Sequence, residues 1–322
     1  MSARRVAVLA ISYVGALFVC PRASEAQLWR RTLGSAAAYA VAVRNGDPIA
    51  AGYLTGGAVV RFDGATGQPV WQNEVGGTQA GSGAFLALTL DSAGDPIAAG
   101  GVYNLGSSLD IAVAKLDGDD GTLLWKWETA SAGDSGEVAR AVAVDDADDV
   151  AVAGELPEGS YAALKLSGAD GSELWRYATG GTFATDIAYD AAGDVVVAGQ
   201  GFVVSPKLTV VKLAGSTGAL VWRVDLPFGL YGLPPTLAVD GTGDVIAGAF
   251  GGVGAVVKLA GADGTVIWQV ENLSARDVVV DSAGDVFVAG AGMKLSGATG
   301  AVLWTADDQF GAPDCSPPTT TS

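Results

Sequence analysis

Two kinds of charge recur at fixed places along this chain. Arg61, Lys115, Lys165, Lys212, Lys258 and Lys294 each stand just before a Leu or Phe in a short apolar run. Asp47, Asp95, Asp149, Asp194, Asp244 and Asp285 each stand just before a second apolar run, 9–20 residues upstream. A ring of such charges could line a binding site. Because the same residue types return in every copy, whereas sites break symmetry, the expectation is structural: each strand cation pairs with a turn carboxylate, within or between repeats.

Other chemistry is bounded by what is missing. The 322 residues contain no histidine. That removes Ser-His-Asp and Cys-His triads, histidine general bases, histidine zinc sites and histidine-ligated haem. Two cysteines, Cys20 and Cys315, make neither a Cys-x-x-Cys pair nor a disulfide framework. With 35 acidic against 18 basic residues the formal charge is -17, the wrong sign for nucleic acid. Asp117-Gly-Asp-Asp-Gly121 has a calcium-loop flavour, but Gly121 stands where a ligand belongs. Asp145, Asp146, Asp148 and Asp149 form a second acidic turn. No cofactor is expected, and calcium is the one metal these turns could hold. Gly-x-Gly fragments such as Gly248 to Gly254 do not open a helix, so they give no dinucleotide site.

Residues 1–26 read as an address. Arg4 and Arg5 lead an uncharged, mostly apolar stretch from Val6 to Val19, and Ser24 and Ala26 supply small residues before a cleavage point. This is the layout of a secretory signal peptide, too short in its apolar part to span a bilayer. Val19 ahead of Cys20 is unsuited to lipidation. The chain is therefore expected to be exported, to the periplasm or outside the cell, with no membrane span after cleavage.

The elements that must position the charges follow from an internal repeat. Trp29, Trp71, Trp125, Trp175, Trp222, Trp268 and Trp304 are spaced 36 to 54 residues apart. Between them the same phrases return. An apolar run ends in Asp, a short turn carries Gly-Asp, and a second apolar run ends in Gly, as in Leu237 to Gly248. A strand with the cation follows, then a Gly-x-x-Gly turn and a strand carrying the Trp, as in Gly261 to Trp268. Short Val, Ile, Ala and Leu runs bounded by Gly and Asp are strands. Each repeat is thus four antiparallel strands, a to d, joined by tight hairpins; Asn45-Gly46 predicts a type I′ turn.

Four strands at this period are the signature of a β-propeller blade. The expected fold is all-β: a single β-propeller over residues 27–306, six blades of four antiparallel strands, with a seven-bladed ring as the alternative. Residues 307–322, with Pro and Thr but no strand pattern, are expected to form a disordered tail. The Trp29 strand is expected to join the last blade and close the ring. Each Trp is expected to be structural: burying ~150–250 Å² at ~25 cal/mol/Å² is worth roughly 4–6 kcal/mol before costs.

The Ala214-Gly-Ser-Thr-Gly-Ala-Leu-Val-Trp222 phrase resembles the tryptophan-docking repeat of the quinoprotein-like (PQQ-like) β-propellers. Val278 to Gly290, followed by Met293-Lys294-Leu295, resembles the repeat of exported bacterial β-propellers (SBBP-type). Two functions come with the resemblance. Quinoprotein dehydrogenases hold PQQ and calcium at the axis of eight blades, many with an adjacent cysteine pair that this chain lacks. The outer-membrane assembly lipoprotein of the same family is a non-catalytic protein-binding scaffold.

Partner contacts are expected on loops that differ between blades. Phe228 and Tyr231 lie in the d–a connection Asp225 to Pro235, held between prolines; Tyr103 and Phe202 lie in the longest b–c connections. Aromatic side chains on stiff loops suit anchoring to a protein or polysaccharide. The two kinds of connection are not expected to share one face. The chain then reads as an exported, monomeric, non-catalytic propeller that acts as a binding or scaffold module. The alternative is a propeller enzyme binding a small ligand, or quinone and calcium, through axial carboxylates.

Overall fold

The computed structural model describes residues 29, 36–79, 83–106, 109–129, 136–156, 160–180, 183–202, 206–229, 234–251 and 254–306. The signal segment 1–26 and the tail 307–322 lie outside them. All 24 strands fall into six four-stranded antiparallel sheets, each built from four consecutive strands. The fold is a six-bladed propeller. Blade 1 runs from Ala37 to Glu74, blade 2 from Gly83 to Glu128, blade 3 from Val138 to Gly180, blade 4 from Phe183 to Gly229, blade 5 from Thr236 to Glu271 and blade 6 from Asp277 to Thr305. No helix among the described residues is long and apolar enough to cross a membrane.

The turns form for the reasons the residue types suggest. Asn45 and Gly46 both have positive φ, 53° and 93°, as a I′ hairpin requires. In blade 3 the sequence offers no glycine, and Asp148 takes the left-handed position at φ 65°. Aspartate tolerates that conformation better than most residues, and its carboxylate accepts bonds from the Ser92 N–H and hydroxyl of blade 2 at 2.8 and 2.6 Å.

The inner strands are narrow and buried on both faces. Val195, Val196, Val197 and Ala198 are all inaccessible, so the strand reads as a continuous apolar run. Five hydrophobic clusters fill five interfaces: blades 1–2, 2–3, 3–4, 4–5 and 5–6. Each is built on the same repeat positions. Leu88 and Leu90, Val142 and Val144, Ile187 and Tyr189, Leu237 and Val239, and Val278 and Val280 are the a-strand pairs that pack against the preceding blade.

Apart from Trp29 itself, the strand expected to close the ring lies outside the described residues. The fourth strand of blade 6 is its own Val302–Thr305, and among the described residues no strand pairing joins first blade to last. Trp29 stands against blade 1, as each later tryptophan through Trp268 stands against the blade that follows its own. Its indole N–H donates to Gly64 O at 2.9 Å, and its ring lies 5.9 Å from that of Phe62.

Candidate functional site on the loop rim

The repeated charges form a node at each blade interface. Trp175 Nε1 and Lys165 Nζ of blade 3 both donate to the carbonyl of Gly215 in blade 4, at 2.9 and 3.4 Å. The Gly215 N–H is held in turn by Asp194 Oδ1 of its own blade at 3.1 Å. A Cβ on Gly215 would sit 1.7 Å from Gly193 O, so only glycine fits. The node repeats through Trp71 and Arg61 on Gly118, Trp125 and Lys115 on Gly168, Trp222 and Lys212 on Gly261, and Trp268 and Lys258 on Gly297.

The cation–carboxylate pairing expected from the sequence is present, with an addition. The closest carboxylate is in most blades not the Gly-Asp aspartate but the one that ends strand a. Lys212 lies 2.6 Å from Asp190 and 3.4 Å from Asp194; Lys258 lies 2.7 Å from Asp240 and 3.3 Å from Asp244. Burial works against the charge on Lys212 and Lys258, but the aspartates outweigh it and hold both above the usual lysine value. Blade 1 differs, with Arg44 in place of that first aspartate and reaching Asp119 of blade 2 at 2.6 Å.

The acidic turns spend their carboxylates on protein. Asp117 accepts the N–H groups of Asp119 and Asp120, Asp119 pairs with Arg44, and Asp145 and Asp149 share Lys165. A groove of about 400 Å³ between the a–b turns of blades 5 and 6 is lined by Asp240 and Asp281, which already serve Lys258 and Lys294. Among the described residues no group of three or more Cys, Asp or Glu is gathered to hold a metal ion.

The opposite rim carries the b–c and d–a connections together. In a four-strand meander both leave from the same end of the sheet, which corrects the expectation that they cannot share a face. Their contacts agree. In the d–a connection after blade 1, the Thr78 N–H donates to Asn104 Oδ1 of the blade 2 b–c loop at 2.7 Å. The Leu105 N–H donates back to Thr78 Oγ1 at 2.8 Å, the Gln79 N–H to Tyr103 O at 3.1 Å, and Asn104 Nδ2 to Asp110 at 2.8 Å. This lattice holds up a tip whose apolar side chains face water: Tyr103 is exposed and Leu105 is 76% exposed.

The other predicted anchors fare differently. Phe228 is corrected from rim anchor to core residue, since it is buried in the cluster between blades 4 and 5 with Leu226 and Leu237. Phe202 ends strand b of blade 4, opposite Pro206. Tyr231 lies outside the described residues.

The same rim reveals a polar track near the axis. Four residues before the aspartate that ends strand a, blades 1–3 have Ala40 (ahead of Arg44), Ala87 and Ala141, while blades 4–6 have Asp186, Thr236 and Asp277. Thr236 Oγ1 lies 3.2 Å from Asp186 Oδ2 and 3.0 Å from Asp277 Oδ1. Asp186 also accepts the N–H groups of Leu237 and Ile187 at 2.7 and 2.9 Å. Burial nevertheless pushes its pKa up to about 6, aided by the charge of Asp277. One hydroxyl proton cannot serve two carboxylates at once, so both contacts are hydrogen bonds only when one of the two carboxylates is protonated. Beside it, Arg140 lies over the Phe183 ring at 4.8 Å and 3.9 Å from Glu155, whose pKa burial raises. Glu137 is wholly buried with neither carboxylate oxygen hydrogen-bonded. Aligning the repeats on the turn aspartate isolates Asp186, Thr236 and Asp277; nothing in the sequence marks Glu137.

A family model described as outer membrane protein assembly factor BamB matches residues 15–205, more than half of the chain. The chain belongs to the BamB family. Among solved structures, this BamB-family chain is similar to BamB from Moraxella catarrhalis, at 19% identity over 85% of this chain and 75% of that one, with a TM-score of 0.51. It is also similar to the quinohemoprotein alcohol dehydrogenases of Comamonas testosteroni (14% identity, 83% of this chain, TM-score 0.59) and Pseudomonas putida HK5 (13%, 82%, 0.57). It spans 58% of the length of each dehydrogenase. At these identities the likeness is one of fold. A comparison with curated proteins finds no match.

Proposed function

We propose that this chain is an exported, non-catalytic propeller that binds a protein partner through its loop rim. Export rests on the signal-like layout of residues 1–26 and on a family named for outer membrane protein assembly. The observation that carries the reading is the Tyr103–Leu105 tip: exposed apolar side chains on a loop braced by Thr78 and Asn104. A pre-ordered apolar anchor loses little entropy on binding, which is how a few residues come to dominate an interface. The symmetric charges on the other rim are already satisfied inside the scaffold.

The test is affinity capture from a cell-envelope extract of the source organism, with the full chain as bait beside Leu105→Glu and Tyr103→Ser. A partner held by the parent and lost with both variants supports the reading; equal capture by all three overturns it. A second reading, a propeller enzyme acting on a small ligand at the axis, draws on the Asp186–Thr236–Asp277 track. It would require activity or ligand binding that Asp186→Asn removes.

A further inference from the structure

Thr236 stands between two carboxylates that belong to different blades. Its hydroxyl lies 3.0 Å from Asp277 Oδ1 of blade 6 and 3.2 Å from Asp186 Oδ2 of blade 4. Asp277 is exposed, whereas Asp186 is largely buried and its Oδ2 also accepts the Leu237 N–H of blade 5 at 2.7 Å. A threonine hydroxyl has one proton to give. With a proton on Asp186, that carboxyl donates to Thr236, and Thr236 donates onward to Asp277. Without it, Thr236 faces two acceptors, and one of the two contacts becomes oxygen against oxygen.

The two contacts do not matter equally to the fold. Blade 5 keeps other ties to blade 4 on this rim: the Asp186–Leu237 bond, the Thr185 hydroxyl on Pro235 O at 2.8 Å, and the apolar cluster around Phe228 and Leu237. Toward blade 6, Thr236–Asp277 is the one side-chain bond of this rim among the described residues. Two backbone bonds stand beside it, Leu273 N–H to Gly254 O at 3.0 Å and Ala275 N–H to Ala249 O at 3.4 Å. Few charges face Asp186. Its own strand adds only Tyr189 at the far end, and strand b of blade 4 and strand a of blade 5 carry none. Blade 3 brings Arg140, which lies over Phe183 with Glu155 at 3.9 Å, and Lys165, held at the opposite rim by Asp145 and Asp149. Blade 6 brings Asp277, preceded by Arg276 over the Phe250 ring. Of these, Asp277 alone acts on Asp186 by its charge, and it favours the proton.

We propose that Asp186, Thr236 and Asp277 form a proton-operated latch, in which a protonated Asp186 lets Thr236 tie blade 5 to blade 6, and ionisation of Asp186 turns the hydroxyl back to blade 4 and frees the loop-rim end of blade 6. The direction of the turn follows from solvation. Exposed Asp277 can exchange its protein donor for water, whereas an ionised Asp186 in its buried place needs the hydroxyl. Burial sets the change near pH 6. Blades 1–3 carry Ala40, Ala87 and Ala141 at this position, so the device belongs to blades 4–6 alone. The Tyr103–Leu105 tip of blade 2 lies outside it, and the latch does not depend on the partner-binding reading.

The test is hydrogen–deuterium exchange of the full chain at about pH 5 and about pH 7.5, with rates corrected for the intrinsic pH dependence of amide exchange. Peptides covering Asp277–Val280 report the latch, and peptides covering Val138–Val144, the same strand of blade 3, serve as reference. In the parent, corrected exchange of the blade 6 strand is expected to quicken roughly tenfold between the two conditions while the reference stays level. Asp186→Asn, which binds no proton, and Thr236→Val, which cannot bridge, are each expected to remove that response. Circular dichroism checks folding, and if Thr236→Val does not fold, the parent and Asp186→Asn decide between them. A parent strand with the same corrected rate at both conditions overturns the proposal, and so does a response that persists in Asp186→Asn. An equal quickening in blade 3 overturns it in favour of a general loss of stability.

Discussion

Trp175 donates its indole N–H to the carbonyl of Gly215 one blade onward, at 2.9 Å, and its ring lies flat against Gly218 of the same turn. A Cβ on Gly218 would come within 2.7 Å of that ring, and its φ of 68° is one that side-chain-bearing residues avoid. One residue pair thus seals the outer part of a blade interface and sets its register.

Trp175→Ala should therefore cost about 3–5 kcal/mol, the range for deleting a large buried aromatic side chain. Trp304→Ala at the same repeat position, half exposed and in edge contact with Phe287, should cost clearly less, about 1–2 kcal/mol. Urea denaturation at low protein concentration measures both. Equal losses would refute the difference in seating.

Lys212→Met should be destabilising by about 3–5 kcal/mol, because it strands the nearly inaccessible Asp190 and leaves the Gly261 carbonyl one donor short. Adding Asp190→Asn should recover part of the loss, since it removes the stranded charge while its side-chain oxygen can still accept the Ala192 and Asp194 N–H groups. Lys294→Met, at a node with no further blade, should cost visibly less. Denaturation of the three variants beside the parent checks the ranking.

The polar track predicts a pH effect with a definite sign. Asp186 binds its proton more tightly folded, at about 6, than unfolded near its ordinary value of 3.8. Its contribution therefore favours the folded state below pH 4, fades as pH rises toward 6, and is gone above it. The span is about 3 kcal/mol at most. Because other carboxylates, such as Asp240 and Asp225, are lowered and act oppositely, the effect is read as a difference. Relative to the parent, Asp186→Asn should gain stability between pH 4 and pH 7 by up to that amount. A flat difference would mean that Asp186 is ionised throughout.

Leu105→Glu should leave stability within about 0.5 kcal/mol, because the side chain it replaces faces water. The same change should remove partner capture. Thermal melts run beside the capture experiment separate a lost surface from a lost fold.

Much of this architecture was legible in the residues because the blade is local. Asn45-Gly46, the Gly-Asp turns and the Trp period are short-range signals repeated six times, and their register carries them into the right sheets. The pairing of strand cations with turn carboxylates was legible for the same reason, although the residue pattern does not single out Asp190 and Asp240 as the nearer partners. Which of Trp29 and Trp304 lies on the fourth strand of the last blade was not legible, because both carry the same repeat signal. Nor could Phe228 be told from Tyr103. Both are aromatic residues beside turns, and only the packing of blade 4 on blade 5 buries one of them. The Asp186–Thr236–Asp277 track sits in strands that otherwise read as apolar, and its meaning appears only when the blades are aligned on one register.

The most direct test of the binding-module reading is a thermal melt of the full chain alone, with calcium, and with calcium plus PQQ. A ligand at 100 times its dissociation constant would add about 2.7 kcal/mol to the folded state, a shift easily seen in a single cooperative unit. The account predicts superimposable melts with and without PQQ. A PQQ-dependent rise in Tm would contradict it and make this propeller a quinone binder.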